Sequence, residues 1–216
     1  PIEVSFPISQ TPSLKEKVIC EIQNEEYRIY VSFGEKELRF GMQWTVEFSL
    51  GKDDHFLTQR ALFNNPTSKA HPWMSWSNAA VPALKDSEFQ FPSGEVLLHS
   101  DELKTIDWET DGTKTNAVIE SMSGYFWQIP DVNAFGCYSP SYESGLYHVA
   151  EKEKVPGMKL WSYGMGRDLG WSYLSSATKQ SYLEIQAGPI SDQSIKYQLG
   201  PGEEQCHTEF WIPENN

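Results

Sequence analysis

The amino-acid sequence predicts an all-β protein whose antiparallel strands pack as a sandwich. Three observations lead to this fold class. Short segments of alternating apolar and polar residues recur along the whole chain, turn-forming residues separate them, and no segment carries a sustained helical apolar stripe. Because a period of two places every second side chain on the same face of a strand, such segments are typical of sheets with one face on a core.

The strands follow one another from the amino terminus. Ile2, Val4 and Phe6 alternate with polar residues, and residues 43–50 (QWTVEFSL) alternate most cleanly. Further strands are predicted, in chain order, in FLTQRALF, HPWMSWSNAAVP, GLYHVAE, MKLWSY, SYLEIQA and EQCHTEFWI. Turns are predicted between them at Asn64-Asn65-Pro66, Asp111-Gly112, Pro156-Gly157 and Gly200-Pro201-Gly202.

Length and charge limit the organisation and the partners. The 216 residues contain 39% hydrophobic residues and no repeat or linker, so we expect a single domain over residues 1–216. The 17 basic residues are outnumbered by 30 acidic ones, which argues against nucleic acid or an anionic membrane surface as partner. The excess of acidic residues fits a neutral ligand. No apolar run approaches the roughly 20 residues of a membrane helix.

Cysteine usage and motifs exclude several classes of site. The 3 cysteines are odd in number and lack CxxC spacing, so we expect free thiols and neither a disulfide framework nor a metal site. The motifs GxGxxG, GxxxxGK[ST], HExxH and GxSxG are absent, and no cofactor is predicted. The chain begins with Pro1, so a missing signal peptide leaves the compartment open between cytoplasmic and secreted or periplasmic.

One strand carries the first candidate site residues. In SYLEIQA, alternation places Tyr182, Glu184 and Gln186 on one face, and apolar residues on the other. The polar face either contacts water or lines a ligand site.

Two other segments carry side chains suited to a sugar. Trp76 and Asn78 share a strand face, where the ring could stack on a sugar or belong to the core, and the amide could bind hydroxyls. Lys159 and Trp161 share a face of a later strand, and Arg167 follows in a loop. These basic groups could orient hydroxyls or a carboxylate; alternatively, Lys159 is solvated and Arg167 is held by an acidic neighbour.

A histidine is the remaining candidate. His148 stands on the predicted strand GLYHVAE and could contact a ligand. The alternative is a histidine hydrogen-bonded on a sheet face.

Several segments together resemble a known family. PIEVSFP, LFNNPTSKAHPWMSWSNAAVP, GLYHVAEKEKVPGMKLWSYG and YLEIQAGPISDQ resemble bacterial domains of unknown function in the galactose-mutarotase-like superfamily, which are often fused to tetratricopeptide repeats. The likeness runs from Ile2 to Pro213. It implies an antiparallel β-supersandwich with a sugar-sized groove on a concave face. It also implies that family domains carry further N-terminal strands before the segment resembling IEVSFP; here these were removed, belong to a second chain, or are lacking in a short variant.

The resemblance assigns a role to Glu184. Aldose epimerases carry a late L-E-x-Q strand whose glutamate is the general base, and Leu183-Glu184-Ile185-Gln186 matches it. Trp161 resembles the tryptophan that precedes this glutamate in the hexose-phosphate epimerase branch. There are two departures: Asn78 stands where the epimerases use a histidine acid, and Ser9-Gln10 stands where related domains often show a histidine pair. Both argue against ordinary mutarotation.

Three functions stay open. The first is a carbohydrate-recognising domain with undecided activity. The second is an epimerase-like or glycoside-cleaving enzyme with Glu184 as general acid or base, and with Glu47, Asp168 or His148 as a further acid. The third is a structural module that packs on a partner domain.

Overall fold

The computed structural model describes residues 2–5, 19–36, 40–128 and 130–215. Its fold class is the predicted one, since the described strands form two antiparallel eight-stranded sheets. Phe6 and the Ser9-Gln10 position lie outside the described residues.

The strands recur along the whole described chain, as the alternation predicts. In chain order they are β1 (Ile2–Ser5), β2 (Ile19–Asn24), β3 (Arg28–Lys36), β4 (Gln43–Gly51), β5 (Leu57–Asn64), β6 (His71–Pro82), β7 (Glu88–Gln90), β8 (Glu95–His99), β9 (Leu103–Asp107), β10 (Ser123–Trp127), β11 (Asn133–Ser139), β12 (Ser144–Ala150), β13 (Gly157–Ser162), β14 (Tyr182–Gly188), β15 (Tyr197–Leu199) and β16 (Glu204–Asn215).

Helical structure is scarce. The helix α1 (Leu169–Ser175) has 7 residues, and two 3₁₀ turns cover Asn116–Val118 and Pro140–Tyr142. Within the described residues, no helix has the length and apolar character needed to cross a membrane.

The two sheets have different strand orders. The first sheet runs β1-β6-β14-β13-β10-β8-β9, with β15 also paired to β6. The second runs β2-β3-β4-β5-β16-β12-β11-β7. Consecutive strands pair as hairpins in β2–β5, whereas the centre of the first sheet joins strands far apart in sequence.

The main core lies between the sheets and follows the predicted parity of β14. Leu183, Ile185 and Ala187 are fully buried in it, as is Leu160 of β13, and Trp211 of β16 packs against them. Because side chains alternate along a strand, Tyr182, Glu184 and Gln186 must occupy the outer face of the first sheet.

A polar network is buried beside this core. The Glu209 carboxylate accepts hydrogen bonds from Ser77 Oγ at 2.7 Å and Gln59 Nε2 at 3.2 Å, and it contacts His207 Nε2 at 3.1 Å and His148 Nε2 at 3.0 Å. Burial alone would raise the pKa of Glu209, but the bonds from the two histidines outweigh it and lower this pKa to about 2.

This network gives His148 its place. The ring is fully buried and packs between Phe135 and Trp211, each with a ring centroid 4.8 Å away. The structure therefore does not bring His148 to a ligand-accessible face. His148 is instead the hydrogen-bonded histidine predicted as the alternative, with Glu209 as its partner.

Two of the cysteines can be described. Cys137 and Cys206 are free thiols, as expected, and the side chain of Cys20 lies outside the described part. Burial raises the pKa of Cys137 to about 12, so this thiol stays protonated at neutral pH.

Candidate functional site

The outer face of the first sheet gathers most of the predicted site residues. In the register of β13, β14 and β6, Trp161 lies opposite Glu184, and Lys159 lies opposite Gln186, which in turn lies opposite Asn78. Residues that are up to 108 positions apart in sequence (78 and 186) thus form two adjacent cross-strand rows. The sequence predicts the parity of each strand, and strand pairing brings the rows together.

A carboxylate and two amides form the polar part of this face. Gln186 Nε2 donates a hydrogen bond of 2.7 Å to Glu184 Oε2. Gln186 Oε1 and Asn78 Oδ1 are buried and have no hydrogen-bond partner among the described residues. An unpaired buried carbonyl costs about 1–3 kcal/mol, so both oxygens favour a ligand that brings hydrogen-bond donors.

Lys159 lies opposite Gln186 on the neighbouring strand, and aromatic rings surround it. Its side chain is only 3% exposed. The ammonium lies 4.8 Å from the ring centroid of Phe126, 5.1 Å from that of Trp161 and 5.7 Å from that of Trp76. Cation–π attraction fixes the rings relative to one another. In this arrangement Lys159 supports the site and is not open to a ligand.

Trp76 is also buried and cannot offer its face to a sugar. It packs with Met74, Phe126 and Ile190 under the loop that follows β14. A Cβ on Gly188 would come within 3.3 Å of its indole, and a Cβ on Gly157 would strike the carbonyl of Ile190. These two glycines let the indole and the loop lie close to the sheet. Of the two roles considered for Trp76, a sugar-stacking ring or a core residue, the structure shows the core residue.

Trp161 is the tryptophan that remains partly exposed on this face. Its indole lies across Gly124 of β10, because a Cβ there would be 2.8 Å from ring atoms Cε3 and Cζ3. Tyr163 packs edge-on against it at 6.5 Å. The indole is thus held from below and from the side, as a stacking platform requires.

Arg167 lies in the loop before α1. Its guanidinium pairs with Asp101 at 3.0 Å and approaches Asp168 at 3.5 Å, and its side chain is mostly exposed. Acidic neighbours therefore hold Arg167, as one of its two predicted roles requires.

The other candidate acids do not belong to the two cross-strand rows. Glu47 belongs to the second sheet, where Ser32 Oγ donates to it at 3.4 Å. Asp168 accepts a hydrogen bond from the Met122 backbone N–H at 3.0 Å.

Sequence reasoning missed one tyrosine, Tyr163, and one histidine, His99, on this face. Tyr163 and Tyr182 lie beyond Trp161 and Glu184 with hydroxyl oxygens 3.3 Å apart, and burial raises the pKa of Tyr163 to about 12. His99 lies in the row that contains Trp161, one strand beyond Gly124. Alternation in YLEIQ pointed to Tyr182, but only strand pairing could place His99.

Solved structures share this architecture. A protein containing tetratricopeptide repeats from Parabacteroides distasonis ATCC 8503 is 54% identical with a TM-score of 0.91; the match covers 100% of this chain and 37% of that one. A galactose mutarotase-like protein from Clostridium acetobutylicum is 12% identical with a TM-score of 0.63, covering 93% of this chain and 67% of that one. One from Lactobacillus casei ATCC 334 is 10% identical with a TM-score of 0.63, covering 90% and 73%.

These likenesses show a galactose mutarotase-like sandwich, in agreement with the predicted resemblance. This chain spans little more than a third of the Parabacteroides protein. The family described as a domain of unknown function (DUF5107) matches residues 1–214, and the chain belongs to this family.

Proposed function

We propose that this domain recognises carbohydrate on the outer face of its first sheet. Trp161 provides the stacking surface, and Glu184, Gln186 and Asn78 provide hydrogen bonds. The observation that carries the proposal is the pair of unpaired amide oxygens beside a carboxylate and a partly exposed indole.

The chemistry of this face suits a sugar better than other small ligands. A pyranose has an apolar C–H face that packs on an aromatic ring, and its hydroxyls donate to the acceptors on Glu184, Gln186 and Asn78. The formal charge of −13 and the Glu184 carboxylate disfavour anionic ligands. A neutral sugar is therefore the first class to test, and a uronic sugar the second.

The decisive experiment is a glycan array on the full-length natural protein. Hits should be confirmed by isothermal titration calorimetry, and each should lose affinity in Trp161→Ala but not in Trp171→Ala. Trp171 lies on α1 and is 61% exposed, which makes it a matched control. Binding that is indifferent to Trp161 would reject the proposed face.

A second candidate function is chemistry on the same sugar. Glu184 lies on the strand that resembles the L-E-x-Q strand of aldose epimerases, and Gln186 fixes the carboxylate in place. A positioned carboxylate can take the proton of an anomeric hydroxyl or protonate a leaving group. Product analysis of every glycan hit, with Glu184→Gln as control, distinguishes an epimerase-like or glycoside-cleaving enzyme from a binding domain.

The proposal includes a strand-forming partner at the β1 edge. Among the described strands, β1 pairs only with β6. Trp73 of β6 stacks on Phe63 of β5 at 4.5 Å, so β1 lies on the side where the second sheet continues into β4 and β3. There Ile29 and Leu50 expose 49% and 47% of their surface.

A strand added to β1 would cover this apolar surface and extend the first sheet. An upstream segment or a second chain could supply it, and a packing role would then accompany recognition. Hydrogen exchange on the full-length natural protein tests this partner. Slow exchange of the outward β1 amides supports it, and fast exchange argues against it.

A further inference from the structure

We infer that His99 is a second ligand contact at the Trp161 platform, opposite Glu184, and that the space between them seats one pyranose ring. The inference rests on the proposed function and adds a residue, a seat and a ligand size to it.

Strand register places the four residues in one row. Gly124 of β10 lies opposite His99 on β8 and opposite Trp161 on β13. Trp161 in turn lies opposite Glu184 on β14. The row therefore reads His99, Gly124, Trp161, Glu184 across four neighbouring strands.

All the side chains in this row point away from the core. Val96 and Leu98 of β8 pack in the core between the sheets. Leu97 packs with the outer-face cluster that contains Trp76 and Phe126. Alternation along β8 then directs His99 to the outer face, where its side chain is exposed.

Gly124 creates the seat. Its missing side chain leaves room for the Trp161 indole, which leans across β10 towards β8. Any larger residue at this position would stand between the indole and His99. The Trp161 indole thus has the His99 imidazole on one side and the Glu184 carboxylate on the other.

The dimensions fit one sugar ring. Neighbouring strands are about 4.8 Å apart, so three strand steps separate the Cα atoms of His99 and Glu184 by about 14 Å. A pyranose ring about 5 Å across, with a hydrogen bond of about 3 Å at each edge, spans about 11 Å. The side chains of His99 and Glu184 extend from the sheet and can bridge the remaining distance. Hydroxyls on opposite edges of one ring can therefore meet both groups.

His99 and Glu184 differ in what they can bind. A carboxylate only accepts hydrogen bonds, whereas a neutral imidazole donates from one nitrogen and accepts at the other. His99 should therefore be sensitive to the direction of one hydroxyl at its edge of the ring. It is a specificity contact, and its loss should alter the choice between epimers as well as the affinity.

The test compares variants on one panel of ligands. The methyl glycosides of glucose, galactose and mannose are titrated by calorimetry into the full-length natural protein and into His99→Ala, Trp161→Ala and Glu184→Ala. His55→Ala is the matched control, because His55 is an exposed histidine in the turn between β4 and β5 of the other sheet. We expect His99→Ala to weaken the best ligand about tenfold and to change the ratio of affinities between epimers.

The possible failures separate the two proposals. If His99→Ala behaves like His55→Ala while Trp161→Ala and Glu184→Ala lose binding, the inference is overturned and the proposed function stands. If the unmodified protein binds none of these sugars and no other neutral glycan, both fall.

A glycine variant provides an independent measurement. Gly124→Ala keeps every polar group but displaces the indole, and it should weaken binding and shift the Trp161 fluorescence. Unchanged binding with a displaced indole would overturn the seat.

Discussion

The Gln186 side chain donates a 2.7 Å hydrogen bond to the Glu184 carboxylate from two positions further along β14. Both side chains project from the same face of the strand, so this bond fixes the carboxylate over the row that contains Trp161. Residues on either side of Gln186 cannot replace it, because they point into the core.

Replacing Glu184 with Gln should separate binding from catalysis. The amide keeps the shape and a hydrogen-bonding oxygen, so we expect sugar affinity to fall by no more than about tenfold. Any turnover should fall by at least about a hundredfold, because an amide cannot accept the proton. Calorimetry and product assays on the same preparation measure the two effects. Full turnover in Glu184→Gln would exclude Glu184 as the general acid or base.

Replacing Trp161 with Ala should abolish sugar binding at little cost in folding. The indole is partly exposed and packs on Gly124 and Tyr163, so we expect a loss of about 1–2 kcal/mol in the free energy of unfolding. Denaturant unfolding and calorimetry measure the two quantities. Trp171→Ala should change neither by a comparable amount.

Replacing Gly157 with Ala should destabilise the cover over Trp76. The added methyl group would strike the backbone carbonyl of Ile190, and a backbone atom cannot turn aside as a side-chain end can. We expect a cost of about 1–3 kcal/mol and increased exposure of the Trp76 indole. Denaturant unfolding and tryptophan fluorescence report the change.

Gly170 provides the matched control for this substitution. It lies in α1, and a methyl group added there would meet no atom within 4 Å, so Gly170→Ala should be neutral or stabilising. Equal destabilisation by both substitutions would contradict the role given to Gly157.

Replacing Glu209 with Gln should destabilise the sandwich core. The amide nitrogen of Gln is itself a donor and would face the groups that now donate hydrogen bonds to the carboxylate. We expect the free energy of unfolding to fall by about 3 kcal/mol. Glu204→Gln is the control, since Glu204 lies exposed on the same strand. Chemical denaturation at neutral pH gives the free energy of unfolding of both variants. A Glu209→Gln variant as stable as the natural protein would show that the network does not stabilise the fold.

Acid should remove the same contribution. The pKa of Glu209 is lowered from 4.5 to about 2, so its stabilising effect is present above about pH 4.5 and disappears as the pH falls towards 2. We expect the unfolding free energy of the natural protein to fall across this interval, and that of Glu209→Gln to fall less. Parallel slopes in the two proteins would contradict the depressed pKa.

Local alternation in the sequence predicted eight of the sixteen described strands, namely β1, β4–β6, β12–β14 and β16, and left the other eight unnamed. β6 begins at His71 and ends at Pro82, as the pattern indicates, and the parity of β14 is the predicted one. Alternation is a property of consecutive residues, and a strand with one face on the core must display it. The polar face of β14 could therefore be assigned before its neighbours were known.

The burial of the outer face could not be predicted in the same way. Trp76 is covered because Ile190 of the loop after β14 packs on it, and Lys159 is covered because three aromatic rings surround its ammonium; both depend on tertiary packing. His148 likewise shows strand parity, but only the distant Glu209 explains why it is internal. His99 joins the site through the pairing of β8 with β10, which no local pattern contains.

The aromatic enclosure of Lys159 gives the domain a built-in chemical reporter. Amine-acylating reagents modify a lysine only when its nitrogen meets solvent, and this ammonium is enclosed by three rings beneath the face proposed to bind sugar. Surface lysines such as Lys152 should react at once, whereas the modification rate at Lys159 should follow the transient opening of the rings around it. Peptide mass spectrometry after timed labelling would measure the frequency of that opening, and a sugar stacked on Trp161 would slow it.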